Sequence, residues 1–115
     1  MKFTKTAFGD TLTILAFDHF VAMPLKIDFT EVEEGVVKAG TPISADGKKA
    51  KTTSSGEPAV SSSNAVGILL QDVYKDDPNG AVVIHGFIDT TKAKNHSDIT
   101  VDEATKAALP MIRFM

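Results

Sequence analysis

Cysteine is missing from all 115 residues. That removes a disulfide framework, a thiolate metal centre and a cysteine nucleophile together, whatever the compartment. Tryptophan is also absent, and Tyr74 is the single tyrosine, so a sugar-stacking aromatic platform has little to be built from. Positive charge is not in excess: 12 basic against 15 acidic residues leave a net charge of −3 and a pI near 5.5. No global basic field therefore draws in nucleic acid or anionic lipid. No apolar run approaches the roughly 20 residues that span a bilayer. Gly9 and Asp10, then Asp18 and His19, interrupt the apolar stretch a cleaved signal peptide needs. The expectation is a soluble chain made in the cytoplasm, with neither a membrane nor nucleic acid as direct partner.

What is present is an ordinary globular composition. Hydrophobic residues at 43% and charged residues at 23% argue against wholesale disorder. A chain of this length makes one domain and buries about two-thirds of its unfolded surface.

The apolar pattern has mainly the period of β-structure. Thr11–Phe17 begins in alternation and is rich in strand-favouring side chains, which predicts a strand. Met23-Pro24-Leu25 reads as an extended break. Residues 27–32 alternate, with Ile27, Phe29 and Val32 brought to one buried face through a bulge, and read as another strand. Val36–Ile43 reads as a short strand with a Gly-Thr-Pro corner, and Asp46-Gly47 as a tight turn. Residues 51–64 are mostly Thr, Ser, Gly and Pro, a surface loop on composition.

The strongest signal is the pair of runs Ala65–Tyr74 and Ala81–Asp89, joined through Asp76-Asp77-Pro78-Asn79-Gly80. They predict an antiparallel hairpin with both strands largely buried. Thr100-Val101-Asp102-Glu103 fits a capping box with Thr100 as the cap, opening a short helix that Pro110 ends. Met111–Met115 then reads as a last strand or packed tail.

Catalytic ingredients do not converge in the sequence. His19, His85 and His96 are far apart and lack the spacing of a zinc site; His85 reads as a hydrogen-bonded strand residue. Asp72, Asp76 and Asp77 lack the alternating ligands and closing glutamate of a calcium loop. Ser54, Ser55 and Ser61–Ser63 sit in no nucleophile elbow. Gly35, Gly40 and Gly47 are spaced as turn glycines, and Lys48, Lys49 and Lys51 read as a solvated turn. Asn95-His96-Ser97 matches a glycosylation tripeptide by chance, given the expected absence of secretion. The expectation is a non-enzymatic protein with no metal and no cofactor.

Three segments taken in order resemble a known family. They are Ala39–Ser44 with Asp46-Gly47, then Ala65–Val73, then Ala81–Gly86. Together they are similar to the lambda-type head decoration proteins of tailed bacteriophages, also called capsid cement or stabilisation proteins. The end of the chain, Ala104 to Phe114, is similar to that family's closing helix and strand. The resemblance covers roughly Val36 to Phe114, interrupted by the Ser/Thr-rich stretch.

The resemblance implies a small mainly-β domain, sandwich- or barrel-like, with one short C-terminal helix and an N-terminal arm. It implies a homotrimer on the capsid exterior of the virion that bridges neighbouring major capsid protein subunits against internal pressure. It also implies that the arm pairs with a capsid strand. Residues 1–8 are the candidate arm, with Lys2, Phe3, Thr4, Lys5, Thr6 and Phe8 as its contacts, and residues 9–115 the decoration domain. The alternatives are the capsid-anchoring base of a head fibre, which the lack of a coiled-coil or triple-helical repeat does not favour, and a small β-barrel module binding carbohydrate or peptide.

Overall fold

A computed structural model describes residues 14–17, 19–58 and 60–115. The fold is mainly β, as the sequence leads one to expect. Its strands are β1 (Val21–Lys26), β2 (Val36–Val37), β3 (Pro42–Ser44), β4 (Thr52–Ser55), β5 (Val60–Ser63), β6 (Ala65–Leu69), β7 (Val73–Tyr74) and β8 (Asn79–Ile88). Helices α1 (Thr90–Ser97) and α2 (Glu103–Ala108) follow, then β9 (Ile112–Phe114).

The main sheet runs β1-β8-β6-β3, all neighbours antiparallel, with β9 added parallel to the last three residues of β8. Side chains alternate across its faces, so Ile68 and Val83 enter one buried cluster while Leu69 and Val82 enter another. The central strands are therefore covered on both sides. That is why residues 65–70 and 81–84 are nearly continuously apolar instead of alternating with polar residues. The first cluster gathers Ile14, Leu15, Ile88, Ala93, Leu109 and Ile112, sealed by the helices and β9. The second joins Ile27, Val37, Ile43 and Val73.

The expected hairpin pairing is present, with Ile68 opposite Val83 and Leu69 opposite Val82. Its connection is more elaborate than one turn. The chain leaves the main sheet after Leu69, and β7 pairs with β2 in a separate ribbon. It reverses between Tyr74 and Asp77, where the Asp77 amide donates to the Tyr74 carbonyl at 2.9 Å. The Asp46-Gly47 turn is also present: Gly47 has φ +85° and its amide donates to the Ser44 carbonyl at 3.0 Å. A side chain at Gly47 would collide with the Lys26 carbonyl oxygen.

Several expectations are corrected. Residues 27–32 form a turn, not a strand: the Val32 amide donates to the Phe29 carbonyl, and Ile27, Phe29 and Val32 still pack on the second cluster. Residues 23–25 belong to β1, where Pro24 is accommodated because β1 is an edge strand. Stretch 51–64 lies on the surface but is no loop; β4 and β5 pair from Thr52↔Ser63 to Ser55↔Val60. Its base is held by Thr52 Oγ1 donating to Asp102 Oδ2 at 2.8 Å.

The cap of α2 is Asp102, whose carboxylate accepts the Thr105 amide at 2.8 Å, two residues beyond the expected Thr100. A second helix, α1, joins the single one expected. Asp89 caps it by accepting the amides of Thr91 and Lys92. Of the strand expected over residues 11–17, the described part meets β8 through one bridge, Leu15↔Ile88. From this part of the chain, Ile14, Leu15, Phe20 and Ala22 pack in the first cluster and Leu25, Ile27, Phe29 and Val32 in the second.

Candidate interaction face

The face arises from two irregularities along β8. The pairing of β1 steps from Ala22↔Val83 to Val21↔His85, so β8 carries one extra residue, Ile84. Such a bulge reverses which residues face which side. It explains how Val83 and Ile88, an odd number of positions apart, both reach the first core cluster. The same reversal turns His85 and Phe87 to the opposite side of the sheet.

The second irregularity lies on the neighbouring segment. Five residues separate Leu15 from Val21, whereas two separate their partners Ile88 and His85. The excess carries Phe17 and His19 outward, and Phe20 settles over Gly86. A Cβ at Gly86 would come within 3.0 Å of the Phe20 Cβ, so glycine makes this approach possible.

The outcome is an aromatic and imidazole surface. Phe17 meets Phe87 edge to face with centroids 5.4 Å apart, and His19 stands 5.8 Å from His85 and 6.3 Å from Phe87. Phe17 and Val21 keep 52% and 51% of their surface exposed. Arg113, opposite Phe87 on β9, lies at the border. Lys92 donates from Nζ to the Leu15 carbonyl at 3.4 Å. β1 is the outermost strand on this side, so its outer backbone edge has no strand partner among the described residues. Exposed aromatics beside an open strand edge offer apolar contact and main-chain hydrogen bonds to another surface.

The sequence-level candidates fall as follows. Lys2, Phe3, Thr4, Lys5, Thr6 and Phe8 lie outside the described residues, which begin at Ile14 on the border of this face. His19 and His85 come together, and His96 does something else: its Nε2 lies 2.6 Å from Asp72 Oδ1. Ser54 and Ser61 hydrogen-bond across the β4–β5 ribbon. Lys48 and Lys51 both pair with Glu31, at 2.8 and 3.2 Å, which neutralises part of that basic cluster. Asp77 accepts from Asn79 Nδ2. Among the described residues no group of three or more metal-ligating side chains converges, and no helix is long and apolar enough to cross a membrane. A groove of about 790 Å3 lies beside the 27–32 turn, between Lys26 and Lys75, with Ile27, Phe29 and Pro78 in its wall.

Asp72 ties together two segments distant in sequence. It occupies the gap between β6 and β7, accepts the Ala39 amide at 2.8 Å and holds His96 on the last turn of α1. Burial pushes its carboxyl up, but the Ala39 amide and the His96 imidazole, helped by Lys38, outweigh it and hold it below the usual carboxylate value. A carboxylate lowered in the fold stabilises it above the unfolded value, about pH 4, and that contribution is lost as pH falls through the native value. Asp72→Asn is therefore expected to melt lower than the parent at neutral pH and to lose less on acidification below about pH 4. Melting both proteins across that range checks this; parallel acid slopes would exonerate Asp72. Asp28, Glu31, Asp46 and Asp102 are lowered as well, so some acid dependence remains in the variant.

Compared with known proteins, the chain matches no family model, no curated protein and no solved structure.

Proposed function

We propose that this chain is a non-enzymatic virion protein that binds the exterior of an assembled phage capsid and stabilises it by bridging major capsid protein subunits. The observation that carries the reading is the exposed face of Phe17, His19, Val21, His85 and Phe87 beside an open strand edge, close to Ile14, where the described residues begin. Strand addition at such an edge gains main-chain hydrogen bonds, and apolar side chains beside it supply contact area. The order of motifs from Val36 to Phe114, similar to the decoration family, supports the same reading. In it, residues 2–8 act as an arm on the shell, and trimerisation multiplies three weak contacts into one firm attachment.

The test is co-sedimentation of the purified protein with mature shells lacking it, followed by heating of the shells. Saturable binding and a raised disruption temperature are expected. Replacing the two half-exposed apolar residues, Phe17→Ser with Val21→Ser, is expected to weaken binding about tenfold or more while the fold persists. Undiminished binding by the double variant would remove this face from the contact. Absence of binding to any shell would sink the capsid reading. It would favour the carbohydrate- or peptide-binding module, whose site would be the groove between Lys26 and Lys75.

A further inference from the structure

We propose that His19 and His85 form a two-imidazole site for a transition-metal cation of the zinc(II) or nickel(II) class. Imidazole nitrogen is a preferred ligand for these ions and binds at about 2.0–2.1 Å. Adding the distance from a ring nitrogen to its centroid places each centroid about 3.2 Å from a shared metal. Two rings on one metal then have centroids about 5.2 Å apart at a tetrahedral angle and about 6.4 Å apart if collinear. The observed 5.8 Å lies inside that window.

The 75° between the ring planes is compatible with this, because each ring needs only to contain the metal in its own plane. His85 is held in β8 opposite Val21, whereas His19 is exposed on the longer neighbouring segment. The pair was invisible by spacing, since 66 positions separate the two histidines; the bulge at Ile84 brings them together.

Two protein ligands leave two coordination positions for water or for a side chain of a docked surface. Such a site is reversible, unlike the closed four-ligand sites that hold a fold together. Both ligands belong to one chain, so the site is the same whatever this face docks against.

Calorimetric titration of the full chain with zinc or nickel chloride, above about pH 7 in a weakly coordinating buffer, tests it. One cation per chain is expected, released by chelator, together with a melting temperature that climbs with metal concentration. His19→Ala and His85→Ala should each weaken binding about tenfold or more. His96→Ala, which removes the partner of Asp72, should leave the affinity unchanged. His85→Gln keeps a polar side chain of similar length in β8 and serves if His85→Ala melts early. Absence of saturable binding overturns the site, as does binding that survives either His19→Ala or the His85 replacement, or that falls equally in His96→Ala.

Discussion

Gly67→Val is expected to lower the melting temperature by about 10 °C or more. A side chain at this position has nowhere to go. A Cβ built on Gly67 would collide with Val82 Cγ1 and with the Val83 carbonyl oxygen. The first contact is with a fully buried side chain and the second with backbone, so neither yields without parting β6 from β8. Overpacking a close-packed interior costs about 1–3 kcal/mol when side chains alone must move, and a backbone clash lies at or beyond the top of that range. Gly67→Ala should already show most of the loss. Gly35→Ala is the control, since nothing lies within 4 Å of the Cβ there and the only burden is its φ of +69°. A melting temperature for Gly67→Val within a degree or two of the parent would show that β6 and β8 can separate at little cost.

Ile88→Ala is expected to cost about 3–4 kcal/mol. Ile88 is fully buried in the first cluster, and it is the meeting point of three segments. Leu15 bridges to it on one side, Phe114 of β9 pairs with it on the other, and α1 begins two residues later. The cavity left by truncation opens beneath the segment that carries Phe17 and His19, so the interaction face should loosen with the core. Hydrogen exchange of the amides of Ala16 and Asp89, which bond to Phe87 and Ile14 across this junction, reads that effect directly. Faster exchange confined to β4 and β5, with these two amides still protected, would mean that the junction does not depend on Ile88.

The parts of the fold that were legible in sequence are those where local pattern and tertiary packing agree. The runs around Ile68 and Val83 announce doubly covered strands, and Asp46-Gly47 announces its turn because only a residue free of a side chain fits there. Helix α1 was illegible: Thr90–Ser97 has weak helix formers and buries only Ala93, and its best signal is Asp89 as a cap. Thr100 and Asp102 both satisfy a capping pattern, and the carboxylate that also receives Thr52 is the one used. Ile27, Phe29 and Val32 have the spacing of a bulged strand, yet a turn delivers the same three side chains to the core. The candidate face was out of reach for a different reason. It depends on one unpaired residue in β8 and a mismatch in length along the neighbouring segment, and neither leaves a compositional trace.

The way the chain enters and leaves the sheet has a mechanical consequence. The Asp89 amide holds the carbonyl of Ile14, the Thr90 amide holds the carbonyl of Met115, and both attachments lie at the same end of β8. Their strands flank β8, so Ile14 and Met115 sit about two strand spacings, roughly 10 Å, apart. Tension applied between these two points opens the sheet like a zipper, one hydrogen bond after another. Tension between Ile14 and the far end of β8 instead slides β1 along its partner and loads the register from Val21 to Lys26 at once. A domain tethered through residues before Ile14 and held by the body of its sheet therefore resists along its strong axis.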